Sequence, residues 1–384
     1  MGTYFLFMYI PTMFCLINNY IKTRRNYFII FSLIFLILIG YTRYEFGADY
    51  VSYYKIYNYI LNNEIEQVKR FELGYIFLNK VFIFFKLHFN ALIGTITLFN
   101  LILIYKTIFF ILEKTKYFYL CIFTYMSLYS LFFYHLSMIR QSIAISLFFY
   151  SIKFIYNKKF KEYIFIIIIA TFFHKSAILL LPVYFFIQVN TLKIMYYNLF
   201  LIFCYIISLN RKYMINLYMT ILKILNMENY IYYIFTKSGG ELFSFKNIVI
   251  ILVTYVFLYL LKNEKNEKYK LVLKILILNN LIYIFSMGAG ILILNRIVDY
   301  FKIFYIFFPI IMLKKIYKIR IKNLNIKNIF IISYIIFMNL YFINTYIKSI
   351  EIYKNMEYYK NLNINPLRYK NIFFINDKYR NRKE

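Results

Sequence analysis

The sequence is poor in acidic residues, cysteine and glycine, and it has no tryptophan. Only 16% of its 384 residues are charged and 62% are hydrophobic, whereas a soluble domain has roughly a quarter charged. The length would allow two or three soluble domains, but too little charge is present to cover their surfaces. The three cysteines, Cys15, Cys121 and Cys204, lie far apart, each inside an apolar block. That placement excludes a disulfide framework and a CxxC metal site. Also missing are GxGxxG and Walker loops, the DxD pair of metal-dependent nucleotide-sugar enzymes, HxxxH and the GxSxG elbow. No cofactor and no metal is therefore expected. Richness in Ile, Lys, Asn, Tyr and Phe without Trp reads as codon bias and carries no functional meaning.

What is abundant is apolar sequence, with a mean hydropathy of +0.61. About 20 helical residues cross a hydrocarbon core of about 30 Å. The apolar blocks predict spans at 2–20, 26–42, 91–112, 117–135, 139–156, 194–209, 246–261, 270–287, 298–313 and 328–344. Shorter runs at 162–173 and 176–187 flank Phe173-His174-Lys175-Ser176. The expected fold is all-α: a polytopic integral membrane protein of about 10–12 transmembrane helices, with a broken or re-entrant pair near 162–187. One transmembrane domain is expected over 1–345, followed by a basic tail over 346–384. The first run lacks a basic n-region and a small-residue cleavage site and reads as a retained helix.

Forty-six Lys and Arg against sixteen Asp and Glu give a formal charge of +30. In a soluble chain that excess would point to nucleic acid. Here it sits mostly in short loops, as the positive-inside rule expects, and no nucleic-acid partner is implied. With the clusters at 22–25, 158–161, 262–270 and 314–327 in the cytoplasm, the segments 43–90 and 210–245 face outward. The scheme closes only if 71–87 is interfacial or re-entrant.

Six residues beside apolar blocks on the outward side are candidates for chemistry: Arg43, Asp49, Glu72, Arg140, His174 and Arg296. An Arg near a helix centre costs about 3 kcal/mol on insertion scales, so each such residue needs a partner or a task. Arg43 opens Arg43-Tyr44-Glu45-Phe46-Gly47-Ala48-Asp49-Tyr50, in which Gly47 can turn the chain and bring Asp49 back. A snorkelling Arg is the plainer reading of the same residues. Arg140 opens a helix with Ser142, Ala144 and Ser146 on it, small enough for a close neighbour. Its planar fork suits phosphate oxygens, and an interfacial anchor is the alternative. His174 can relay a proton at a helix break, although a lone histidine in an apolar helix is more often a packing residue. His88 and His135 read as interfacial. Arg296 and Asp299 are spaced i, i+3 and could neutralise each other.

Taken in order, Arg43/Gly47/Asp49/Tyr50, Phe71-Glu72-Leu73-Gly74-Tyr75, Ile139 through Ala144, Phe173 through Ala177 and Arg296/Tyr300/Phe301 resemble the EpsG family of Wzy-like bacterial polysaccharide polymerases. Ala48 stands where the family often has Thr, and the tail past 345 carries none of the pattern. The resemblance implies a multi-pass glycosyltransferase of the bacterial inner membrane. It would join oligosaccharide repeat units linked to undecaprenyl pyrophosphate on the extracytoplasmic face, among membrane lipids and with a chain-length regulator as partner. On that reading Arg140, Arg296 and Arg43 bind the pyrophosphate, and His174, Asp49 and Glu72 are candidates for the base. Other roles in the same pathway have requirements of their own. An O-antigen ligase would want a larger outward loop than 210–245, an O-acyltransferase an early His-Arg or acidic motif, and a flippase matched broken helices in both halves.

Overall fold

A computed structural model describes residues 2–21, 26–44, 46, 47, 49–69, 71–113, 115–128, 131–189, 193–224, 244–289, 293–316, 326–354, 370 and 371. The apolar blocks fold as helices. In chain order they are α1 (Gly2–Tyr20), α2 (Tyr27–Thr42), α3 (Tyr50–Leu61), α4 (Leu73–Phe84), α5 (Phe89–Leu112) and α6 (Phe118–Ser127). There follow α7 (Phe132–Ser137), α8 (Ile139–Tyr156), α9 (Phe160–Phe173), α10 (Val183–Gln188), α11 (Ile194–Leu209) and α12 (Arg211–Ile224). The last are α13 (Phe245–Lys262), α14 (Glu267–Ala289), α15 (Ile293–Lys302), α16 (Phe308–Ile316) and α17 (Ile326–Lys354). Among the described residues the one strand pairing is a two-residue antiparallel contact of Arg43–Tyr44 with Lys370–Asn371. The protein is an all-α polytopic membrane protein.

Helices α5, α13, α14 and α17 are each long and apolar enough to cross a bilayer, and α2, α4 and α11 are shorter apolar helices. Large apolar side chains stand exposed along α2 (Phe31, Ile34, Leu38), α11 (Leu199, Ile202, Phe203) and α17 (Ile332, Ile336, Phe337). Water would penalise such faces, and hydrocarbon covers them without cost.

Two expected spans are divided in the structure. The run 117–135 is two helices, because the chain leaves helical geometry at Leu128 and resumes at Phe132. The run 298–313 contains a 3₁₀ turn, Ile303–Phe307, between α15 and α16. Residues 211–224 of the expected loop 210–245 are helical, and 225–243, with Gly239-Gly240, lie outside the described residues. α17 runs through residue 345 to Lys354, and most of the tail that follows lies outside the described residues.

The chain divides into two compact units. The first comprises Met1–Tyr150, Ile166–Lys175 and Ile306–Glu384, and the second Ser151–Phe165 and Ser176–Tyr305. In the first unit α2 lies between α1 and α5, and α1 also packs on α6. Small residues allow the approach: Gly40 of α2 abuts Thr97, and Gly94 of α5 abuts Tyr41. Some polar groups inside pair with each other, as Ser32 does with the Tyr105 hydroxyl at 2.7 Å.

In the second unit α14 packs against α11, α13 and α15. Its mid-helix Asn280 donates to Thr254 Oγ1 (2.8 Å) and accepts from the Tyr305 hydroxyl (2.8 Å). In this unit the start of α9 meets the chain that returns from it. Tyr163 donates to the Leu180 carbonyl at 2.6 Å, and the Phe160 and Tyr184 rings lie 4.9 Å apart. Along the chain, α9 ends at Phe173, His174 follows, and a 3₁₀ segment (Lys175–Leu180) leads to the short α10.

Candidate functional site: a buried arginine–glutamate–histidine cluster

Three of the predicted residues meet in the first unit. Glu72 is the N-cap of α4, Arg140 lies in the first turn of α8, and His174 directly follows the last residue of α9. Arg140 Nη1 is ion-paired with Glu72 Oε2. His174 Nδ1 stands 3.4 Å from Glu72 Oε1, within ion-pair reach but outside hydrogen-bond geometry. The Glu72 and His174 side chains are 8% and 12% exposed and that of Arg140 is 23% exposed, so Arg140 is the most open of the three.

Local chemistry explains each placement. A carboxylate at a helix N-terminus faces the positive end of the helix dipole and is stabilised there. The Glu72 side chain makes no cap bond to its own helix and is directed to Arg140 instead. Gly74, two residues on, lets α4 approach the end of α9, since a Cβ there would lie 2.8 Å from the Phe172 carbonyl oxygen. α9 ends at His174, whose N–H closes the last turn on Ala170 O at 2.9 Å before the 3₁₀ segment begins.

Aromatic rings hold the guanidinium flat. Arg140 Cζ lies 4.9 Å from the Phe71 ring centroid and 5.7 Å from that of Tyr53, and Nε donates to the Tyr53 hydroxyl at 3.5 Å. Among the described residues Nη2 has no partner. Burial alone would raise the Glu72 carboxyl, but the adjacent imidazole and guanidinium outweigh it and hold the group at about 2.

Two further candidates stand close by. Asp49 precedes α3 by one residue, and its charge and that of Arg140 both act on the Tyr53 hydroxyl. Gly47 turns the chain just before it with φ +87°, as the motif led one to expect, and a Cβ there would strike Ser137 Oγ at 2.5 Å. Arg43 is buried, 1% exposed, and its charge reaches the buried Tyr75, which stacks edge-on against Tyr53 at 5.3 Å.

Arg296 lies in the second unit, exposed on α15. Nearby, Asp299 binds Lys302 at 2.5 Å. In the same unit Tyr300 and Ser176, from two separate motifs, share a hydrogen bond at 3.0 Å. His135, expected at the interface, is instead buried, and its Nδ1 lies 2.9 Å from the Tyr125 hydroxyl. The roles of Tyr53 and Phe71 went unrecognised in the sequence. With 45 tyrosines and 45 phenylalanines, no single ring stands out.

The fold and this cluster define a multi-pass helical membrane protein that gathers a cation, a carboxylate and an imidazole at the ends of separate helices. Residues 25–361 match the EpsG family, and the chain belongs to that family. EpsG proteins are Wzy-like polysaccharide polymerases, which gives this protein a polymerase-type role in polysaccharide biosynthesis. No match was found among curated proteins or among solved structures.

Proposed function

We propose that the protein is a glycosyltransferase that polymerises undecaprenyl-pyrophosphate-linked oligosaccharide repeat units on the extracytoplasmic face of the bacterial inner membrane. The carrying observation is the state of Arg140. Glu72 and Tyr53 fix its orientation, its Nη2 has no partner among the described residues, and it is the most open of the three clustered side chains. A guanidinium set in advance beside a reacting bond is suited to charge that develops on a leaving pyrophosphate.

In the proposed step, the acceptor hydroxyl oxygen bonds to the anomeric carbon of the growing chain. The bond from that carbon to the pyrophosphate oxygen breaks, and undecaprenyl pyrophosphate departs. The hydroxyl proton passes to His174. A carboxylate held at about 2 accepts protons poorly at neutral pH, so Glu72 is cast as the group that orients His174 and Arg140. Asp49 is the alternative base. Arg43, fully buried, supports the site from behind Tyr75.

Arg140→Lys is the direct test. An ammonium keeps the charge but cannot serve Glu72, Tyr53 and a phosphate oxygen from one plane. The variant should express normally, lose long polysaccharide chains and accumulate lipid-linked single repeat units. A ladder of normal length on a gel would remove Arg140 from the reaction. Arg296→Ala is scored separately in the same assay, and normal chains from it would end the pyrophosphate role assigned to Arg296.

A further inference from the structure

The first unit holds a second polar site. A cavity of about 490 Å³ is lined by Asn18, Asn19, Asn26, Lys116, Tyr117 and Lys327 among others. It sits where α1 ends, α2 begins, α5 passes into α6 and α17 begins. α2 leads from this cavity to Arg43, so about 24 Å of helix separates it from that residue.

Two ammonium groups line this cavity beside one aromatic ring. Lys116 Nζ lies 5.6 Å and Lys327 Nζ 6.0 Å from the centroid of the same Tyr117 ring. Among the described residues neither has a carboxylate partner. Two neighbouring cations without a counter-charge create a potential that attracts an anion. The asparagines add a second requirement. Asn18 Nδ2 donates to Asn26 Oδ1 (3.3 Å) and Asn19 Nδ2 to the Lys116 carbonyl (2.7 Å). Among the described residues, both Oδ1 atoms are buried without a donor. Buried acceptors left unpaired call for a donor, so the matching ligand carries hydroxyl groups beside its negative charge.

Apolar side chains border the cavity. Tyr20, which lines it, is 79% exposed, and Ile17, Ile21 and Tyr27 are exposed beside it. That surface suits acyl chains. We infer that this cavity binds the phosphate-and-hydroxyl headgroup of an anionic phospholipid, with Lys116 and Lys327 on the phosphate and the Asn18 and Asn19 amides on the hydroxyls. Basic pockets between helices at a membrane surface take such headgroups.

The test uses the full-length protein, purified in detergent and stripped of lipid, with binding counted by native mass spectrometry. Phosphatidylglycerol, phosphatidylcholine and sn-glycerol 3-phosphate are the three probes. One phosphatidylglycerol should bind in preference to phosphatidylcholine. The Lys116→Gln/Lys327→Gln double variant should weaken that binding about thirtyfold, the usual contribution of two basic groups at an anionic surface. The Lys116→Arg/Lys327→Arg double variant keeps both charges and should keep the binding. Equal binding of the two lipids, wild-type binding by the Gln variant, or loss of binding in the Arg variant would overturn the assignment. Equal competition by glycerol 3-phosphate would move the site to a soluble phosphate ester. None of these readouts depends on polymerase activity.

Discussion

Arg140 occupies the helix end where a positive charge is least favourable. A cation beside a helix N-terminus is typically destabilised by about 0.3–1 kcal/mol, and the carboxylate of Glu72 offsets this. Removing Arg140 alone would strand that carboxylate at 8% exposure. Breaking such a pair costs about 2 kcal/mol here, since the partly open guanidinium is screened more than a buried one. Loss of activity in Arg140→Ala would therefore mix chemistry with instability. The Glu72→Gln/Arg140→Gln double variant separates them: its unfolding midpoint in detergent should return close to wild type while long chains stay absent. The pair also sets an acid dependence. The carboxyl of Glu72 is lowered from its ordinary 4.5 to about 2 in the folded protein. Its contribution is complete above about pH 4.5 and is lost as pH falls toward about 2, because the unfolded chain takes up the proton first. Wild type should accordingly lose more stability than Glu72→Gln between about pH 5 and about pH 3. At this scale the sequence showed which charges were misplaced for a membrane, but not their pairing. Glu72 and Arg140 are 68 residues apart, and no local pattern joins them.

Helix ends bring these residues together, and they are also where the sequence was most and least legible. α1, α8 and α11 match the expected spans residue for residue, because long and mainly apolar stretches leave few alternatives. The break at His174 was legible for the same reason, since each flanking run is too short to cross alone. The break between α6 and α7 was not. Leu128 and Leu131, which flank it, are as apolar as the helices beside them, and across it Tyr125 of α6 meets His135 of α7 at 2.9 Å. The approach of α4 to α9 depends on one position. A Cβ on Gly74 would meet backbone atoms of Phe172 at 2.8 and 3.0 Å, and backbone cannot turn aside as a side chain can. Gly74→Ala should therefore separate Glu72 from His174 and abolish long chains while the protein still inserts. The comparison is Gly40→Ala, where the close neighbour is a Thr97 side chain. That variant should lower thermal stability yet retain polymer of normal length in the same gel assay.

For the molecule as a whole, the proposal needs the cluster and the lipid cavity on opposite faces of a bilayer. Two features agree on this from independent grounds. Charge counting puts the loops at 22–25 and 314–327 on one side and the segment 43–90 on the other. In the first unit the α1–α2, α5–α6 and α17 ends gather at the cavity, while Arg43 lies at the far end of α2. α5 provides the measuring rod. Its 24 residues extend about 36 Å, more than a hydrocarbon core of about 30 Å, with exposed Lys86 before it and exposed Lys116 after it. The native Cys15, Cys121 and Cys204 are buried and should not obscure labelling of a new thiol. Lys86→Cys should react with a membrane-impermeant maleimide in intact cells, and Lys116→Cys only after permeabilisation. Equal reaction of both in intact cells would mean that α5 does not cross. The reverse pattern would put Glu72, Arg140 and His174 on the side of the soluble nucleotide pool, away from a carrier presented at the outer leaflet, and the polymerisation proposed for them would not survive.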